Sequence, residues 1–134
     1  MKCEKLDVWK ISVRLSSDVY KSYFKLKDYG FKDQITRSAL SIPSNIAEGM
    51  EKSSIKDQIR FLDIAKGSAA EFATQTYIAI DISYINKEDG TETIKVINQE
   101  KNVYFELTMD TATKQVTHYH SKPLNDVVIS DLVQ

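Results

Sequence analysis

The segment that decides the fold is DQITRSALSIPSNIAEGM, residues 33–50. Four of its apolar side chains recur at helical spacing: Ile35, Ala39, Ile42 and Ile46. This spacing predicts an α-helix that buries one face against the rest of the protein. The helix is predicted to begin near Asp33, because an aspartate can cap the exposed backbone N–H groups of a first turn.

Pro43 lies inside this predicted helix. Proline removes one backbone hydrogen bond and its ring clashes with the preceding turn, so we predict a kink between Ala39 and Pro43. The helix is also rich in small residues that let a neighbouring helix approach closely: Ser38, Ala39, Ser41, Ser44, Ala47 and Gly49. We therefore interpret this helix as a packing surface first.

Two further helices are predicted on either side of this segment. Helix one runs from Leu6 to about Leu26, and Gly30 marks the connection that follows it. Helix three begins at Ser54, which forms a predicted capping box with Asp57, and continues to about Ile85. In helix one, helical spacing predicts an apolar stripe that Leu15 and Val19 widen: Trp9, Val13, Tyr20 and Phe24. Its aromatic residues, with Tyr23, are interpreted as core rather than as base-stacking residues.

The composition changes after residue 86, so we divide the chain into a helical bundle, 1–86, and a divergent C-terminal segment, 87–134. Asp89-Gly90 indicates a turn. Three stretches rich in β-branched and aromatic residues predict a small β-hairpin or meander: 93–97, 103–109 and 115–120. The alternative is a fourth helix that completes the bundle, with these residues on one face: Ile94, Ile97, Tyr104 and Leu107.

The charge and the cysteine content limit the classes of protein to which this chain can belong. The formal net charge of the chain is -1. Residues 1–86 carry 13 basic and 11 acidic side chains, a balance of +2, whereas residues 87–134 carry 5 and 8, a balance of -3. Nucleic-acid binders usually present a concentrated basic face, so this balance argues mildly against that role. The chain has one cysteine, Cys3, which lies near a terminus expected to be mobile, and it has no stretch long enough to span a bilayer. Both features favour the cytoplasm as its location.

Three strings in the chain carry a family resemblance: KLDVWK at 5–10, SIPSNIAEG at 41–49 and FLDIAKGS at 61–68. Together they resemble a bacterial four-helix-bundle family of proteins encoded by intervening sequences in 23S rRNA genes. The accessory variability proteins of diversity-generating retroelements look like relatives of the same fold. The resemblance covers residues 5–85. It implies an antiparallel up-and-down bundle, often assembled as a ring of five subunits, with suspected RNA association and no enzymatic activity.

Polar residues near these strings form a candidate interaction surface for RNA or a protein: Arg14, Arg37, Asn45, Glu48, Arg60 and Lys66. A structural interpretation is favoured for Asn45 and Glu48, which would satisfy backbone groups around Pro43 or bond between helices. The basic residues have acidic neighbours at helical spacing, which indicates solvated faces with intrahelical ion pairs.

No combination of residues predicts a catalytic or cofactor site. His118 and His120 are two residues apart, a weak metal-site candidate, because no third ligand stands nearby at a familiar spacing. We therefore predict a mainly α, non-enzymatic protein that forms homo-oligomers and acts as an interaction or scaffold protein, accessory to a nucleic-acid-processing element. The alternative function is direct RNA binding.

Overall fold

A computed structural model describes residues 1–97 of the chain, and these residues form a helical bundle. A short 3₁₀ helix, Lys2–Lys5, precedes α1, Asp7–Ser22, which is followed by α2, Tyr29–Met50, and α3, Ile55–Asp81. Residues 87–97 are also helical and are called α4 below. Short connections join α1 to α2 and α2 to α3, and both pairs pack together, as in an up-and-down bundle. The prediction of a mainly α helical bundle is confirmed.

The core is drawn from all of these helices. The four apolar residues predicted for the buried face of α2 are all fully buried: Ile35, Ala39, Ile42 and Ile46. The large buried side chains facing them come from the other helices: Val8, Leu15, Leu62, Phe72 and Ile97. The helix that decides the fold thus packs as its periodicity predicts.

The start of α2 differs from the prediction. The cap is Asp28, whose Oδ1 accepts from the Phe31 N–H at 3.1 Å, and Asp33 lies inside the helix. Gly30 therefore belongs to the first turn of α2 and not to the connection. Tyr84 holds the cap in place, because its hydroxyl donates to Asp28 Oδ2 at 2.7 Å. This contact comes from beyond α3, so no local sequence pattern indicates it.

The buried face of α1 is another correction. Val13, Tyr20 and Phe24 are exposed, and Phe24 retains 76% of its accessible surface. The core-facing residues are Leu15 and Val19, which were predicted to widen the stripe, together with Val8 and Ile11, which were not predicted. Trp9 is half-buried, and Tyr23 is buried as predicted. The helix also ends at Ser22, before the predicted Leu26.

The predicted strand at 93–97 is wrong, because these residues are helical. The Asp89-Gly90 pair lies in the first turn of α4, where Asn86 Oδ1 accepts from the Asp89 N–H at 2.8 Å and caps the helix. Ile94 and Ile97 are buried, as the four-helix alternative predicts. Burial of this apolar face against the bundle outweighs the local β-propensity. The other predicted strands, 103–109 and 115–120, lie outside the described residues.

The two ends of α3 and the N-terminus complete the fold. Ser54 Oγ accepts from the Asp57 N–H at 3.2 Å, so the predicted cap is confirmed. The helix ends at Asp81 and not near Ile85, because the chain turns through Ser83, which has a φ of 64°. Cys3 is fully buried instead of lying in a mobile terminus. Within residues 1–97, no helix is both long and apolar enough to cross a membrane.

Candidate functional site

The structure places the basic candidates on three helices, each beside an acidic neighbour of its own helix. Four ion pairs result: Arg14–Asp18 at 3.6 Å, Arg37–Asp33 at 3.0 Å, Arg60–Asp57 at 3.7 Å and Lys66–Asp63 at 3.2 Å. Such pairs lower the positive charge that each side chain offers to a phosphate. Three of these pairs thus lie on solvated helix faces, whereas the Asp18 carboxylate of the fourth pair is buried.

Asn45 and Glu48 have different surroundings. Asn45 Nδ2 donates to the backbone oxygen of Ser41 at 2.8 Å and to its Oγ at 2.9 Å. Ser41 Oγ in turn lies 2.8 Å from Ser68 Oγ on α3, so this network joins two helices. Glu48 is exposed and lies 4.0 Å from the ammonium group of Lys52. Asn45 therefore has the structural role favoured by the sequence.

Pro43 has a partner residue that the sequence does not reveal. Because proline has no N–H, the Ala39 carbonyl loses its usual donor in α2. The Ser16 hydroxyl, which is buried on α1, lies 2.9 Å from the Ala39 oxygen and 2.8 Å from the Ser12 oxygen. The single hydroxyl proton of Ser16 is shared between these two oxygens, so α1 offers the Ala39 carbonyl a donor in place of the one that Pro43 lacks. The helix α2 continues unbroken from Tyr29 to Met50.

Replacing Ser16 with Ala is expected to lower the free energy of unfolding by about 1–2 kcal/mol, because the buried Ala39 carbonyl loses its donor. Urea denaturation followed by circular dichroism measures this change. Ser17→Ala is the matched control, since the Ser17 hydroxyl is exposed and bonds only within α1. An equal loss in both variants would contradict a special role for Ser16.

An apolar groove runs along the outside of α1 and α2. It has a volume of about 510 Å³, and none of its lining side chains is charged. Its principal side chains are Trp9, Val13, Tyr20, Leu40, Pro43 and Ala47. Tyr20 is 48% exposed and Leu40 is 46% exposed. The sequence signal for this groove is the apolar stripe of α1 with Val13 and Tyr20, which helical spacing alone assigns to the core.

A second concavity lies between α1, α3 and the start of α4, with a volume of about 250 Å³. Asp18 and Tyr23 line it, and both are buried. Burial raises the pKa of the Asp18 carboxyl, while the charges of Arg14 and Lys21 oppose this effect. Burial also raises the pKa of the Tyr23 hydroxyl to about 12. Neither Asp18 Oδ2 nor the Tyr23 hydroxyl has a hydrogen-bond partner in the described part of the chain.

The raised pKa of Tyr23 predicts a loss of stability in alkaline solution. The folded protein holds the proton up to about pH 12, whereas the unfolded chain releases it near pH 10. The stabilisation is therefore complete below pH 10 and is lost as pH rises through 12, at roughly 1 kcal/mol per pH unit. Urea midpoints between pH 8 and 12 test this. Tyr23→Phe should show a shallower decline, and identical declines would contradict it.

No metal centre is found in residues 1–97, where no group of three or more His, Cys, Asp or Glu side chains is placed to hold an ion. His118 and His120 lie outside the described residues, so that candidate stays a prediction.

Comparison with known proteins identifies the family. No curated protein matches the chain. The family model of the 23S rRNA-intervening sequence protein matches residues 4–105, which is more than half of the chain and extends beyond the 5–85 of the sequence resemblance. The match includes α4, in agreement with a four-helix bundle. The chain therefore belongs to the 23S rRNA-intervening sequence protein family.

Proposed function

We propose that this protein is a non-enzymatic interaction protein that assembles with copies of itself through the groove between α1 and α2. The observation that carries the proposal is the apolar, uncharged character of that groove. Monomeric proteins rarely expose contiguous apolar patches of large size, and such patches mark interaction sites. An occupant of the groove must itself be apolar, which favours a protein surface over a polyanion.

A second exposed apolar surface on the same chain supplies a matching occupant. Tyr77, Ile78 and Ile82 lie near the end of α3 and are each 46–59% exposed. Because this surface differs from the groove of α1 and α2, contact between the two would be heterologous. Heterologous contacts generate closed rings when the rotation between subunits closes. A homo-oligomeric ring, such as the pentamer implied by the family resemblance, is therefore the assembly we propose.

The groove continues towards the beginning of α2. Tyr20 lines both the groove and an adjoining recess that contains Phe24 and Tyr29. Lys32 and Asp33 border this recess with opposite charges. An apolar centre with a charged rim is the usual anatomy of a protein interface.

Direct RNA binding has less support among the described residues. The four basic residues of the candidate interaction surface are each paired with an aspartate. RNA binding would also require a salt dependence that grows with the number of phosphates neutralised. Comigration with RNA is therefore the outcome that would contradict self-assembly as the function of this surface.

Light scattering after size exclusion tests the proposal on the full-length chain. Wild-type protein should elute as a defined oligomer whose mass does not change with salt or with a mixed RNA pool. Leu40→Asp should dissociate it, because a carboxylate at this position would be buried in an apolar contact. Ile78→Asp should also dissociate the oligomer if the contact is heterologous, because Ile78 lies on the second apolar surface, near the end of α3.

Ile64→Asp is the matched control, since Ile64 is also an exposed aliphatic residue, 42% accessible, but lies outside both surfaces. It should leave the mass unchanged, and circular dichroism should show equal helix content in all variants. A monomeric wild type, or equal dissociation by Ile64→Asp, would refute assembly through the groove. Comigration with RNA that weakens steeply with salt would replace the proposal with RNA binding.

A further inference from the structure

We infer that the groove of α1 and α2 receives the end of α3 from a second copy of the chain, in a register fixed by two ion pairs: Lys10 with Asp81, and Lys21 with Glu71. The inference rests on the proposed function, because it names the charges that align the contact through which the chain is proposed to assemble. The partner is therefore an α3 helix that lies antiparallel to α1 of its neighbour.

Two lysines border the groove along the outer edge of α1. Lys10 precedes Val13 by three residues and Lys21 follows Ser17 by four, so each shares a helix face with a side chain that lines the groove. Both lysines are exposed, and neither forms an ion pair within residues 1–97. Their ammonium groups are thus available to a partner.

The second apolar surface, near the end of α3, carries two carboxylates. Glu71 lies seven residues before Ile78 and Asp81 lies three residues after it, so all three share one face of α3. Both acidic side chains are exposed and form no ion pair in the described part of the chain. Two carboxylates on this surface complement two ammonium groups beside the groove.

The position of Asp81 is unfavourable without such a partner. Asp81 is the last residue of α3, and the last turn of this helix holds no basic residue. The carbonyl groups at a helix C-terminus carry partial negative charge, which repels a carboxylate and attracts a cation. An ammonium group from a neighbouring copy would offset both negative charges at once.

The charges have nearly the same spacing on the two helices. Lys10 and Lys21 are 11 residues apart, which is about 16 Å along α1 at 1.5 Å per residue. Glu71 and Asp81 are 10 residues apart, which is about 15 Å along α3. Both ion pairs can therefore form at once when the two helices lie side by side.

The residues beside each lysine differ in polarity. The Lys10 end of the groove holds the indole ring of Trp9. The Lys21 end holds the hydroxyl groups of Ser17 and Tyr20. The end of the groove at Lys10 is thus the more apolar one.

The surface of α3 has a similar gradient, which selects the antiparallel arrangement. Asp81 lies beside the exposed aliphatic side chain of Ile78, whereas Glu71 lies one turn from the exposed hydroxyl-bearing Thr74. Matching the apolar ends brings Asp81 to Lys10 and leaves Glu71 to the other lysine. In this arrangement α3 runs antiparallel to the α1 helix of its neighbour.

The ion pairs select the register more than they add affinity. Exposed ion pairs contribute little to a free energy of association, so the apolar contact supplies most of the affinity. Like charges placed opposite each other are unfavourable, and this cost is larger than the gain from one exposed pair. Charge reversal is therefore a more sensitive test than charge removal.

The experiment is a dilution series of the full-length chain, in which light scattering after size exclusion gives the dissociation constant of the oligomer. Lys10→Glu is expected to raise this constant about tenfold, because two carboxylates then meet across the contact. Asp81→Lys should raise it by a similar factor. The double variant Lys10→Glu, Asp81→Lys should return to within about threefold of the wild type, because opposite charges meet again.

Two further variants serve as controls. Glu71→Lys tests the orientation: combined with Lys10→Glu it should leave assembly impaired, because Glu71 faces the other lysine. Lys56→Glu is the matched single variant, since Lys56 is exposed, forms no ion pair within residues 1–97 and lies outside both surfaces. It should assemble as the wild type does, and circular dichroism should show equal helix content in all variants.

Three outcomes would overturn the inference: wild-type assembly of Lys10→Glu, no rescue by Asp81→Lys, or rescue by Glu71→Lys instead. Leu40→Asp separates this failure from a failure of the proposed function. If Leu40→Asp dissociates the oligomer while the charge variants behave as wild type, assembly through the groove stands and the register is wrong. A monomeric wild type would overturn both.

Discussion

Phe72→Ala is expected to lower the free energy of unfolding by about 3–5 kcal/mol, the range for removing a buried aromatic side chain. Phe72 is 1% exposed and is the largest of the fully buried side chains. It also lines the cavity beside Asp18, so its removal enlarges an existing void instead of creating a separate one. Urea denaturation measures the change.

Thr74→Ala is the control for this substitution. Thr74 lies two residues away on α3, is exposed, and its hydroxyl bonds only to the Ala70 carbonyl of the same helix. Its replacement should change the free energy of unfolding by no more than about 0.5 kcal/mol. A loss below about 2 kcal/mol in Phe72→Ala would indicate that the helices close around the site and that the cavity adapts its shape.

The fold was predictable where a single stripe of apolar residues was available. In α2, Ile42 and Ile46 belong to one uninterrupted apolar face, and both are buried. In α1, two adjacent stripes are apolar, and periodicity alone does not say which faces the core. Packing against α2 selects the stripe with Leu15 and leaves Tyr20 outside. The groove proposed for self-assembly results from that selection, so it was accessible only from the tertiary structure.

The error at 93–97 has a related cause. Thr93 and Val96 have high β-propensity, which favours a strand. A local sequence pattern carries no information about the groove that the first three helices leave open. Both side chains are buried in α4.

The cavity beside Asp18 could not be predicted from the sequence either, because Asp18 has the i,i+4 spacing of an ordinary ion-pair partner of Arg14. Asp18 differs from the aspartates at 33, 57 and 63 because it is buried, and its burial depends on packing against α3 and α4.

The string SIPSNIAEG, residues 41–49, is explained by packing between helices. Ser41 bonds to Ser68 of α3, and the carbonyl released by Pro43 accepts from Ser16 of α1. Ile46 is fully buried in the core. The string thus specifies how α2 contacts both of its neighbours.

Gly49→Ala and Gly67→Ala are expected to change stability in opposite directions. At Gly67 a Cβ atom would meet nothing within 4 Å, so alanine should raise the free energy of unfolding by about 0.5–1 kcal/mol through its higher helix propensity. At Gly49 a Cβ atom would lie 2.8 Å from Phe61 Cβ and 3.3 Å from the backbone oxygen of Gln58. We expect a loss of about 1–3 kcal/mol there, the range for overpacking.

The loss at Gly49 should exceed the propensity gain because the atoms it meets are not free to move. Phe61 Cβ is fixed by the backbone of α3, and the Gln58 oxygen is itself backbone, so the end of α2 must move away from the start of α3. The same substitution in two helices of one protein makes Gly67→Ala an internal control, and urea midpoints of both variants give the difference. If Gly49→Ala were as stable as Gly67→Ala, the close approach of α2 and α3 would have no energetic importance, and the last glycine of SIPSNIAEG would need another explanation.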